Sequence, residues 1–354
     1  MLHPHRTTIR RASLLLVASL LALSACGRDT DRPTTATTTA GPIPASAHES
    51  IDVGLAAMAP HAGYAVFDAG AGCDFLAGSG LDGPVPIASA FKLWVLDALA
   101  RRVADGGLDW SQPVTISDEL RSDPSGETYP LPTGTEVTVR HLAEVMISIS
   151  DNTATDHLID LVGRSAIEEV IVELAPDGAA GTLPLLSTAD MARLKFVRPD
   201  LGAVYARLPT DERRADLVGL AQRVPLPWIA DPAAANEIDV TTPRLVDDLE
   251  WFASGADLCR TMADLARLVR TEGLEPLGDI LSANSGLPAE SAAQWETVWF
   301  KGGSELGVLA MVFRLAHGDS DRVVVIALSD ADEPLVPRRD GEAVIGEIID
   351  LATP

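Results

Sequence analysis

Lysine is nearly absent from this chain of 354 residues: only Lys92, Lys195 and Lys301 stand beside 24 arginines. A guanidinium stays protonated whereas an amine can lose its proton, so positions that keep lysine point to proton transfer and not to surface charge. Positive charge is scarce altogether, with 27 basic side chains against 51 acidic ones and a formal net charge of −24. Such a surface repels phosphate and argues against nucleic acid as a partner. Cysteine occurs three times, at Cys26, Cys73 and Cys259, and no Cys/His set has metal-ligand spacing. His141 and His157, a helix and a turn apart, read as surface or capping residues, and no metal or cofactor is expected. Asparagine is confined to positions 152, 236 and 284, and no internal repeat is visible.

At the amino terminus, Arg6, Arg10 and Arg11 precede an apolar run from Leu14 to Leu23, short for a membrane span and of the length of a secretion signal. The junction Leu23-Ser24-Ala25-Cys26 resembles the lipobox of bacterial lipoproteins. That resemblance implies removal of residues 1–25, lipid on Cys26, and a protein anchored on the outer face of the cytoplasmic membrane. The cut removes three arginines and no acids, leaving 24 basic side chains against 51 acidic ones, a net charge of −27. Residues 26–48, rich in Thr, Pro, Ala and Ser, read as a flexible tether. An oxidising exterior permits Cys73 and Cys259 to pair. The apolar pattern Ala256, Leu258, Cys259, Met262, Leu265 favours a buried unpaired thiol instead.

Residues 49–354, in a chain 47% hydrophobic, suffice for one large domain or two small ones. Strands come first, then helices, then strands. Gly63 to Phe67 and Cys73 to Ala77 read as a hairpin around a glycine-rich turn. A helix from Ala90 to about Ala104 is apolar on every side and therefore buried. Further helices are predicted over 139–149, 153–162, 166–174 (opened by the capping box Ser165 to Glu168), 188–196, 211–223 and 255–271. Strands over 297–301, 308–315 and 322–328 and a closing helix over 341–352 complete the pattern. First and last segments must share one sheet, with a helical subdomain of about residues 100–290 inserted between them. Catalytic groups would line the seam.

Ser89 and Lys92 emerge on one face of the buried helix if Ser89 lies in its first turn, and Pro86 suits a helix start. Free backbone N–H groups there can stabilise a negative oxygen. Held among Phe91, Leu93 and Trp94, the amine is desolvated, which lowers its pKa and lets it take the serine proton. Ser150-Asp151-Asn152 follows 61 residues after Ser89 at a helix junction, where capping is the plainer use. Lys301-Gly302-Gly303-Ser304 ends the apolar stretch Thr297 to Phe300, and a strand followed by a glycine turn is its plainer reading.

In this order the three elements resemble the penicillin-recognising serine enzymes, and the segment Ser150 to Asp156 looks most like class A β-lactamases. The resemblance covers about residues 50–165 and 290–354 and implies an α+β fold: a three-layer α/β sandwich with an antiparallel sheet plus an all-helical subdomain. It implies Ser89 as acylated nucleophile, Lys92 as its proton acceptor and Ser150 as proton donor to the leaving nitrogen. Asn152 would hold the substrate amide and Lys301 a substrate carboxylate. Gly303 would help bind the substrate, and backbone N–H groups of Ser89 and Ser304 would form the oxyanion hole. The partner is then a small-molecule or peptide acyl substrate, bound by a monomer.

Two features depart from the family's pattern. Lys-Thr-Gly is usual where Gly302 stands, and Ser304 is the nearby hydroxyl. The deacylating Glu-x-x-Leu-Asn is absent: Pro232 and Ile280 precede Asn236 and Asn284 by four, and residues 175–187 offer only Asp177. The interval from Ser150 to Lys301 is also longer than the family's, and 188–232 has no counterpart. Three functions fit: a β-lactamase-like serine hydrolase, a slow-releasing penicillin-binding or peptidase-like protein, and a surface binding protein without catalysis.

Overall fold

A computed structural model describes residues 45–70, 72–122, 126–226, 241–335 and 339–353. The expected signal peptide, Cys26 and all but the last four residues of the expected tether lie outside the described residues. Helix α1 (Ala45–Ala56) takes in those last four. Among the described residues, no helix is long and apolar enough to cross a membrane.

Period-two alternation builds the sheet. Strands β1 (His61–Asp68), β2 (Asp74–Ser79), β3 (Thr297–Glu305), β4 (Val308–His317) and β5 (Ser320–Ser329) assemble in the order β2-β1-β5-β4-β3. Every pairing is antiparallel, so the two ends of the chain meet where β1 lies against β5. Along β5, Val324, Ile326 and Leu328 face α1 and the closing helix, whereas Val323, Val325 and Ala327 face the helical part. The three expected layers are therefore present. The fold is α+β with an antiparallel sheet.

The helices that matter for the site are α2 (Lys92–Ala104), α3 (Val139–Ser148), α4 (Asn152–Val162), α5 (Arg164–Leu174), α6 (Gly255–Leu268), α7 (Glu275–Ser282) and the closing α8 (Arg339–Leu351). Helix α2 runs through the core: Leu93, Trp94, Val95, Leu96 and Leu99 are each 0% exposed. Residues 188–197 pass from α-helix into a π-helical turn, Arg193–Val197.

Four expectations change. The strand from Thr297 does not stop at Lys301; it continues through both glycines to Glu305, because Gly302, Gly303 and Ser304 still pair with Met311, Ala310 and Leu309. The capping box at Ser165 does not form. Gly163, at φ +89°, ends α4 and opens α5 two residues earlier, and Glu168 turns to the backbone N–H of Leu185. His157 is buried, with Nδ1 donating to Thr153 O and Nε2 accepting from Ser117 N–H, and burial pushes its pKa down.

Cys73 and Cys259 form a disulfide, contrary to the unpaired thiol that the apolar pattern favours. The start of α6 packs so closely on β1, with Gly255 against Ala65 and Phe67, that Cys259 comes up beneath the β1–β2 turn. Periodicity reported burial correctly and said nothing about this distant neighbour. The bridge closes a separation of 186 residues, so Cys73→Ser with Cys259→Ser is expected to cost about 2–5 kcal/mol. Denaturant titration with and without reductant measures it, and an unchanged midpoint would contradict a stabilising role.

Candidate active site

The site begins with a strained turn. Pro86 pairs with Phe252, and Ile87 N–H donates to Trp251 O at 2.9 Å. Ala88, at φ +43°, turns the chain sharply into a 3₁₀ turn, Ala88–Phe91, that leads directly into α2. A left-handed alanine is costly and persists only where its surroundings enforce it. Here the Phe91 ring stacks on Trp251 at 3.9 Å between centroids. Ser89 sits half-buried in this turn, as the Ser-x-x-Lys spacing predicts.

Lys92 is fully buried. Its Nζ donates to Ser150 O at 2.7 Å, Asn152 Oδ1 at 2.7 Å and Ser150 Oγ at 3.0 Å. Among the described residues it makes no hydrogen bond to Ser89 Oγ, so the amine engages Ser150 in the free protein. Burial lowers its pKa to about 7, against the opposing pull of Asp151 and Asp156. The carbonyl and the amide oxygen occupy two N–H groups. The third direction, toward Ser150 Oγ, can hold either a proton or a lone pair.

Ser150 reaches this position through its own strained backbone, φ +60°, at the α3–α4 junction. Asp151 does what the plainer reading expects. It caps α4 by accepting from Ala154 N–H at 2.8 Å, and its other oxygen accepts from Thr128 N–H at 2.8 Å. Ser150 Oγ points at the two lysines. Lys301 Nζ donates to Ser150 Oγ at 3.1 Å and to Gly302 O. Burial, then the charge of Lys92, holds Lys301 well below the ordinary ammonium range.

Gly303 joins the two halves of the site. A Cβ there would stand 2.9 Å from Ser89 N and 2.8 Å from Ala90 N and would collide with Ile87 O. Only a residue without a side chain lets β3 lie against the Ser89 turn, which brings the backbone of exposed Ser304 beside that of Ser89.

Lys92, Ser150, Asn152 and Lys301 thus share one hydrogen-bonded cluster, and Ser89, Gly303 and Ser304 lie along its edge. Asp177 stays out of it, bonded to Ser254 Oγ at 2.7 Å and to Arg260. Two features escaped sequence reasoning. Asp156, one turn beyond Asn152 on α4, is buried with a pKa raised to about 6 by desolvation; it accepts from the backbone of Thr188 and Ala189. Its i, i+4 spacing from Asn152 was the available signal. Lys195 is fully buried between Glu250 and Glu305, and the scarcity of lysine that singled out the other two applied to it equally. Among the described residues, no group of three or more His, Cys, Asp or Glu could hold a metal ion.

An antiparallel sheet is backed by two terminal helices, and a serine-lysine cluster lies at its seam with the helical part. Residues 62–206 match the model of the beta-lactamase enzyme family. Among solved structures, a β-lactamase from Sphaerobacter thermophilus is similar at 21% identity and a TM-score of 0.58, over 88% of this chain and 96% of that one. A variant of the last common ancestor of Gram-negative class A β-lactamases gives 20% and 0.57 over 87% and 97%. Penicillin-binding protein PBP-A gives 16% and 0.55 over 87% and 95%. At these identities the likeness establishes the fold, which is that of class A β-lactamases and PBP-A. The search of curated proteins finds no match.

Proposed function

We propose that this protein is a serine hydrolase that forms an acyl-enzyme on Ser89, acting on a β-lactam or a related amide or ester outside the cytoplasm. The observation that carries it is the buried amine of Lys92 sharing Ser150 Oγ with Lys301 beneath the Ser89 turn. Ser89 Oγ attacks the carbonyl carbon while its proton passes to Lys92; catalytic hydrogen bonds that are long in a free enzyme tighten in the complex. The oxyanion meets the N–H groups of Ser89 and Ser304. Ser150 Oγ gives its proton to the leaving nitrogen and is reprotonated by Lys92. Asn152 orients the amide. A substrate carboxylate draws Lys301 back to its charged form.

Export is supported by Arg6, Arg10, Arg11 and the apolar run that follows, and by the disulfide, which persists in oxidising compartments. The junction before Cys26 supports a lipid anchor there.

A second reading, slow release as in a penicillin-binding protein, is favoured by one observation: the single acid of residues 175–187, Asp177, is held away from the lysine cluster by Ser254 and Arg260. Incubation with a chromogenic cephalosporin, following colour and intact mass together, separates the two. Turnover without lasting mass gain supports the hydrolase; a persistent adduct lost in Ser89→Ala supports slow release; neither signal rejects acyl transfer to this probe. Because the neutral amine is the base, the acylation rate is expected to rise with pH and level off above about 7, where Lys92 loses its proton. A flat profile between pH 5.5 and 8.5, roughly the range bracketing that value, would remove Lys92 from the proton transfer.

A further inference from the structure

The chain's third lysine is as deeply buried as the two in the site. Lys195 Nζ donates to Glu250 Oε1 at 3.0 Å and to Glu305 Oε1; the side chains of Lys195 and Glu250 are 0% exposed and that of Glu305 16%. These residues lie 55 and 110 positions from Lys195 in sequence, so the cluster joins three distant segments. Each acid is attached to one flank of the nucleophile turn. Glu250 Oε2 accepts from Trp251 N–H at 3.0 Å. Trp251 in turn accepts from Ile87 N–H through its carbonyl and stacks its ring on Phe91. On the other flank, Glu305 directly follows Ser304 and stands two residues from Gly303, whose Cα faces Ser89 N.

We propose that Lys195, Glu250 and Glu305 form a buried clamp that holds β3 against the Ser89 turn and so sets the spacing of the Ser89 and Ser304 N–H groups. These are positioning residues, and the proposal rests on the acyl-transfer reading above. Its physical basis is charge. Two buried carboxylates repel each other, and burial together with Glu250 pushes the Glu305 pKa up. The ammonium of Lys195 is the charge that draws both inward. Without it, the inward pull on both acids is lost, and β3 is loosened at Ser304. Lys195 lies on the π-helical turn of the long segment between Asn152 and Lys301. That segment therefore supports the site from behind.

The test uses Lys195→Met and Lys195→Met/Glu305→Gln in the full protein, with two readouts. Hydrogen exchange of peptides covering 85–93 and 300–309 should quicken about tenfold in Lys195→Met, stay unchanged in α1 and α8, and return toward wild type in the double variant. Adduct formation on Ser89 with a chromogenic cephalosporin should slow about 100-fold, while affinity measured in a Ser89→Ala background changes little. Wild-type exchange at both peptides overturns the clamp. So does a wild-type acylation rate, and that result leaves acyl transfer standing. If the wild-type protein itself forms no adduct, acyl transfer to this probe falls, and the exchange data alone decide whether the clamp exists. Should Lys195→Met fail to fold, Glu305→Gln takes its place. Faster exchange at 300–309 is then expected, and wild-type exchange there overturns the proposal.

Discussion

Lys92→Arg is expected to slow acylation of Ser89 on the order of 10³-fold while leaving a folded, positively charged site. A guanidinium can still donate to Ser150 O, Ser150 Oγ and Asn152 Oδ1, the three acceptors around Lys92. It cannot take a proton from a serine. Loss through charge alone would be spared by this substitution, and loss through proton transfer would not. Single-turnover mixing with a chromogenic cephalosporin gives the rate, and thermal melting by circular dichroism reports that α2 remains packed. A rate within tenfold of wild type would mean that another group accepts the proton. The pH limb near about 7 should vanish in the same variant, since the amine that gives rise to it is gone.

Gly303→Ala is expected to cost about 10²–10³-fold in acylation rate with destabilisation of only about 1–3 kcal/mol. The added methyl meets backbone on the opposite side, Ile87 O and the N atoms of Ser89 and Ala90, and none of these can rotate away as a side chain would. Strand β3 must then lift from the nucleophile turn. Ser304 N–H departs from Ser89 N–H, while the sheet pairing of β3 with β4 can persist farther along the strand. Gly302→Ala is the control. Its Cβ would meet the rim of Phe300 at 3.0 Å, a contact that a small ring movement relieves, so the activity loss should be far smaller. Equal losses in the two variants would show that β3 tolerates no methyl anywhere and would remove the special role of Gly303.

Much of the site was legible because its chemistry depends on residue type at short spacing. Ser89 and Lys92 lie three apart on one helix, and a lysine in an otherwise apolar helix has few uses apart from proton transfer. The structure buries Lys92 and gathers Ser150, Asn152 and Lys301 into one hydrogen-bonded cluster with it. The strand after Thr297 was legible as a strand. That it ran through two glycines was not, because cross-strand partners decide where pairing stops.

Apolar pattern by itself determined the layering: strand segments at both ends of the chain, an apolar helix that had to be buried, and further helices between them. Composition showed that the chain keeps three lysines among 27 basic side chains. Only the tertiary structure decided what each buried group would meet. Cys259 was expected to be buried and found Cys73; His157 was read as a surface or capping residue and found Ser117 and Thr153; Lys195 had no assignment and found two acids from remote segments. The physical reason is the same in each case. Burial follows from a residue's own neighbours along the chain, through hydrophobic pattern, whereas pairing follows from which distant segment the packed core delivers to that spot.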